Sequence, residues 1–137
     1  MRVHTSARST AVLAAAATVA LAPACSTRTP ECVDAPAPVV ETAGFPAGFA
    51  AASVITGGDG AWFVGIPAEL TSLRPEVAVF ASDADPGAPG FEGTLVPAND
   101  LAEGAVGRPG GADAFEGSQG VVDATTCVHE RTEELST

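Results

Sequence analysis

The chain has 137 residues, six Lys or Arg against 17 Asp or Glu, and a formal charge of −11 at pH 7. That length accommodates one domain. So acidic a chain repels nucleic-acid phosphates and anionic headgroups, which excludes a DNA, RNA or polybasic membrane role.

The first segment sets the compartment. Met1 to Thr10 carries Arg2 and Arg8 and no acid, residues 11–22 form an apolar run broken by Thr18, and Ala22-Pro23-Ala24 supplies small residues for cleavage. This order reads as a secretory signal peptide over residues 1–24. The apolar run is shorter than the ~18–20 residues that cross a bilayer as a helix. Leu21-Ala22-Pro23-Ala24-Cys25 resembles the lipobox of bacterial lipoproteins. The resemblance implies that Cys25 becomes the lipidated, palmitate-type first residue of the mature chain, held by its lipid anchor to the extracytoplasmic face of the cell membrane. Ordinary cleavage after Ala24 is the alternative, and it would free a secreted protein.

There are three cysteines, Cys25, Cys32 and Cys127. If Cys25 takes lipid, as the resemblance implies, Cys32 and Cys127 remain as an even pair, and outside the cytoplasm a disulfide between them would persist. The other possibility is that the two stay reduced or lie apart. Removal of the leader leaves 113 residues with four arginines, no lysine and all 17 acids, a formal charge of −13. Val, Ile, Leu and Phe make up only 25 of those residues. The expectation is therefore a small core with long irregular connections.

Residues 25–38 hold Pro30, Pro36 and Pro38 and read as the lipidated cysteine and an extended tether. Residues 39–128 are the expected domain. Phe45 and Phe49 have helical spacing, but Gly44, Pro46 and Gly48 favour a packed loop. Ser53 to Thr56 and Ala61 to Ile66 are β-prone runs around Gly57-Gly58-Asp59-Gly60, a hairpin pattern with Trp62, Val64 and Ile66 on one face. Pro67 to Arg74 allows a turn or two of helix. Glu76 to Ala81 reads as an interior strand, Val77 and Val79 on one side and Ala78 and Phe80 on the other.

Asp83-Ala84-Asp85-Pro86-Gly87 opens like a calcium loop. Its twelfth position is Thr94 instead of a bidentate Glu, so a plain turn is the reading. Thr94 to Val96 suits a short strand stopped by Pro97, and Asn99 an N-cap for a turn of helix ending at Gly104. Glu103 to Gly120, rich in glycine, is expected to be the loosest stretch. Gly120 to Val128 has the β-branched composition of a strand, and residues 129–137 read as a polar tail.

Chemistry-bearing arrangements are scarce. The leader takes His4 with it, leaving His129, and no Ser/His/Asp or Cys/His set has obvious parts. Cys32, Cys127 and His129 would make three zinc ligands without a fourth. Glu116 to Gly120 misses the nucleophile elbow at its first position. No catalytic residue, metal ligand or cofactor is assigned. The chain is expected to be a non-catalytic, mainly-β domain, a small single sheet or sandwich, with a surface or binding role toward an unnamed protein or small-molecule ligand. Its leader and its composition, rich in Ala, Gly and Pro and without Lys, resemble small lipoproteins of high-G+C bacteria. An acidic cation-binding module is the competing reading.

Overall fold

The computed structural model describes residues 31–58, 60–107 and 111–137. The leader and Cys25 lie outside the described residues. The organising element is one antiparallel sheet in the order β1-β2-β3-β4-β5, formed by Val33–Asp34, Val54–Gly58, Ala61–Pro67, Val77–Ser82 and Val96–Pro97. The small single-sheet, mainly-β architecture expected from the sequence is present, with long irregular connections such as residues 83–95.

The hairpin forms where Val, Ile, Thr and aromatic residues suit a pleated, half-buried surface. Pairing runs from Val54 opposite Gly65 to Gly58 opposite Ala61. The strands thus continue through Gly57 and Gly58, and the connection is residues 59–60 instead of four residues. Gly60 has φ 82°, a conformation that glycine adopts without a Cβ clash. β4 pairs with β3 on one side and β5 on the other, the interior position expected of it.

Alternation divides the sheet into two apolar faces. Ile55, Val64, Ile66, Ala78 and Phe80 pack against α1 (Ala37–Thr42), a 3-10 helix (Ala47–Ala52) and α2 (Asp100–Val106). Val54, Phe63, Val77 and Val79 pack against α3 (Gln119–Leu135), with Ala81 in the same cluster. Each of the Val, Ile and Phe side chains among these contributes about 1.5–3 kcal/mol on burial, which is how a chain short of apolar residues sustains two thin cores. Trp62 takes part from the first face, half-buried.

Several sequence expectations are corrected. Residues 32–38 are not all tether, because β1 joins the sheet at Val33 and α1 begins at Ala37. Residues 39–52 are not a loop: Pro38 sits at the start of α1, where its missing N–H costs nothing, and Phe45 stacks edge-on against Phe49 and Phe80 at 5.8 and 6.2 Å. Residues 68–76 form no helix. α2 runs through Gly104 and stops at Gly107, whose φ of 65° makes it the left-handed cap.

The largest correction concerns the C-terminal segment. Residues 120–128 are not a strand and 129–135 are not a tail; both belong to α3. The sheet is complete without them, and the face lined by Phe63 and Val79 needs a cover. Ala124, Cys127 and Val128 provide it at helical spacing, overriding the β-propensity of Val121, Val122, Thr125 and Thr126. Between Glu103 and Gly120, the described part is also packed. Glu103 accepts from the amides of Gly111 and Ala112 at 3.0 and 2.9 Å, and Phe115, ending a 3-10 helix, meets Phe63 edge-on at 5.8 Å.

Candidate functional site: a cleft at the hairpin end of the sheet

α3 does not cover the whole of its face. It begins at Gln119, and Gly120 already rests on the Phe63 ring. From there the helix runs toward Gly65 and onward to the 68–76 connection, where His129 Nε2 donates to Pro75 O at 2.8 Å and Thr132 Oγ1 to Leu73 O at 2.8 Å. The opposite end of the face, beyond Phe63, is left open.

There the sheet presents small side chains. Ala81 pairs with Phe63 on one side and Val96 on the other, and the β3–β4 ladder ends at Trp62 and Ser82, so Ala61 and Asp83 follow side by side. The result is an open cleft of about 380 Å³ lined by Gly60, Ala61, Ala81, Ser82, Asp83, Thr94, Val96 and Phe115. Val96 is 41% exposed for the same reason. Gly60, Ala61 and Ala81 make the hollow, since larger residues would fill it. Phe115 forms a wall, and among the described lining residues Asp83 is the one with an ionisable side chain.

Ser82 does not offer a free nucleophile. Its Oγ donates to Ala84 O at 2.8 Å and accepts from Ala84 N at 3.2 Å, closing a tight turn. Asp85 is likewise occupied locally, accepting from Gly87 N at 2.8 Å, so the Asp-Pro-Gly segment is the turn that its sequence suggested. The described histidine, His129, belongs to the other end of the sheet. What remains in the cleft is an apolar floor with one carboxylate and the Thr94 hydroxyl. An apolar lining with a few polar groups is the usual composition of a ligand pocket.

Of the three cysteines singled out in the sequence, Cys32 and Cys127 come to disulfide-bonding distance, Cα–Cα 6.1 Å, across a separation of 95 residues. One turn further along α3, Arg131 forms an ion pair with Asp34. β1 is thus fastened to α3 at two points. With its sulfur in this pair, neither cysteine joins His129 as a zinc ligand, and among the described residues no group of three or more His, Cys, Asp or Glu is placed to hold a metal ion. No described helix is long and apolar enough to cross a membrane.

The cleft residues were not singled out from sequence as a site. Their signal would have been negative, a run of small residues at a strand end where a helix stops short, and nothing in the linear order announces where α3 begins relative to the sheet. Comparison of the chain with protein-family models, with curated proteins and with solved structures finds no match in any of the three.

Proposed function

We propose that this chain is a lipid-anchored, extracytoplasmic domain that binds a ligand without transforming it, using the cleft at the hairpin end of its sheet. The observation that carries the reading is the pairing of Cys32 with Cys127, which uses two of the three cysteines and leaves over Cys25, at the end of a lipobox-like leader. A disulfide of this kind suits an oxidising compartment. The remaining thiol then has a fate of its own, acylation.

The position of Cys32 adds to this. β1 runs antiparallel to β2, with Val33 opposite Ile55, so Cys32 precedes it on the side of the β2–β3 turn, the end at which the cleft opens. A tether from Cys25 to Cys32 spans at most about 25 Å when extended. The cleft therefore works close to the membrane surface. Its apolar floor supports binding of a small molecule over chemistry on one.

Fractionation tests the anchor. Wild type is expected in the membrane fraction, carrying metabolically incorporated labelled palmitate, and Cys25→Ala in the medium without label. Identical fractionation of the two would overturn the anchor and favour a freely secreted protein.

A further inference from the structure

We propose that the cleft takes a small cationic amphiphile, an amine whose apolar tail lies on the Ala61, Ala81 and Val96 floor against Phe115 and whose ammonium meets Asp83. The inference rests on the binding reading of the cleft and not on the lipid anchor.

Three observations carry it. The cavity of about 380 Å³ stands at the low end of small-molecule pockets, which run from roughly 300 Å³ upward, so the occupant is small. The strand registers put Ala61, Ala81 and Val96 on one face of three neighbouring strands, with Ala81 buried at the base of the cleft between the more open Ala61 and Val96. Phe115 closes one side of it; its other partner, Phe63, meets it edge-on and holds the ring in place.

The third observation is charge. Asp83 follows Ser82 at the end of β4, beside Ala61, and the described residues give it no ion-pair partner: Arg131, at the β1 edge, is engaged with Asp34 and Glu134. A cation at the rim gains from this carboxylate and from the field of a chain at −11, whereas an anion is repelled by both. The N-terminus of α3 would favour an anion, but no residue of that helix lines the cleft. A neutral apolar molecule would use the floor and leave the rim carboxylate unused.

Titrating the purified, oxidised, isotope-labelled chain with hexylammonium and, separately, hexanoate by amide NMR at about 0.15 M salt separates these cases, because ionic strength of that order screens the diffuse field beyond about 8 Å and spares a direct contact. The expected result is saturable shifts confined to Gly60, Ala61, Ala81 to Asp83, Thr94, Val96 and Phe115, with the amine binding about threefold to fivefold more tightly than the carboxylate, and with Asp83→Asn removing most of that difference while weak binding persists. Asp83 is exposed, so the variant is expected to fold, and its unchanged spectrum elsewhere checks this. Equal affinity for the two probes at these residues would overturn the cation assignment and leave the binding site standing. Absence of saturable shifts there with either probe, or shifts spread over the acidic surface, would overturn both readings.

Discussion

Gly120 and Phe63 compete for one space: a Cβ on Gly120 would lie closer than 3.0 Å to three atoms of the Phe63 ring. α3 meets the sheet at that point, and Gly65 on the neighbouring pleat plays the same part, with the Ala124 carbonyl and Val128 where its side chain would be. The helix can approach this closely only because both residues lack a side chain. Phe63, so fixed, holds Phe115 at the cleft wall.

Gly120→Ala is therefore expected to destabilise by about 1–3 kcal/mol, the usual range for overpacking, and to disturb the Phe115 wall as well. Gly104→Ala is the matched control. Gly104 is exposed in the interior of α2, and a Cβ there would meet nothing within 4 Å, so the change should stabilise by up to about 1 kcal/mol through helix propensity. Urea unfolding of the two variants checks the signs. Equal effects would show that helix–sheet contact is looser than the geometry indicates.

Asn99 joins β4 to α2 through a single side-chain amide. Its Nδ2 donates to Val77 O at 2.8 Å and its Oδ1 accepts from Val79 N at 3.1 Å, imitating a further strand residue, while the same oxygen caps α2 through Ala102 N at 3.0 Å. Asn99→Ala removes a cap and leaves two strand groups unpaired, an expected loss of about 2–4 kcal/mol. Asn99→Asp keeps the acceptor but opposes a carboxylate oxygen to the Val77 carbonyl. Loss of the Nδ2 donor should leave Asn99→Asp less stable than wild type. Stability equal to wild type would refute the assigned hydrogen-bond directions.

The double attachment of β1 predicts unequal contributions. Cys127 is buried on α3 and the disulfide closes a loop across 95 residues, so replacing both cysteines by serine should cost up to about 4.7 kcal/mol in the chain-entropy account. The Asp34 side chain is largely exposed, and Asp34→Ala should cost no more than about 1 kcal/mol. Thermal melts with and without reductant measure the first, and the variant in the oxidised protein measures the second. A larger loss from Asp34→Ala would mean that the ion pair, and not the covalent link, holds the strand.

The hairpin, the two-faced β4 and the Asn99 cap were legible because each is a local pattern: period-two alternation, a continuous apolar run, a capping residue before a helix. α3 was not read from the same sequence, although Gly120, Ala124, Cys127 and Val128 already recur at helical spacing. Its β-branched residues favoured a strand by composition, and the decisive fact, that one face of a finished sheet lacked a cover, is a tertiary one. The same holds for the cleft. It exists because a helix begins one turn too late to fill it, and no residue type marks that.

The C-terminal boundary provides the last test. Residues 129–137 look dispensable by polarity, but His129 and Thr132 supply hydrogen bonds to the carbonyls of Pro75 and Leu73, across 54 and 59 residues of chain. Those contacts tie the connection between β3 and β4 to the helix that covers both strands. Truncation after Val128 removes them, the Arg131 ion pair and the last two turns of α3, and leaves two loop carbonyls to find other partners. The expected result is a loss of several kcal/mol, each hydrogen bond accounting for about 0.5–1.5 kcal/mol of it and the remainder coming from fraying at Val128. Truncation after Leu135 removes only Ser136 and Thr137, both exposed and bonded within the last turn, and should change the melting temperature little. Thr132→Val removes the hydroxyl, which Leu73 O and His129 O share, without shortening the helix and should lower stability by about 1 kcal/mol. If the chain ending at Val128 melted like the full-length protein, the segment would be the tail that its composition suggests, and α3 would owe its stability to Gly120 through Val128 alone.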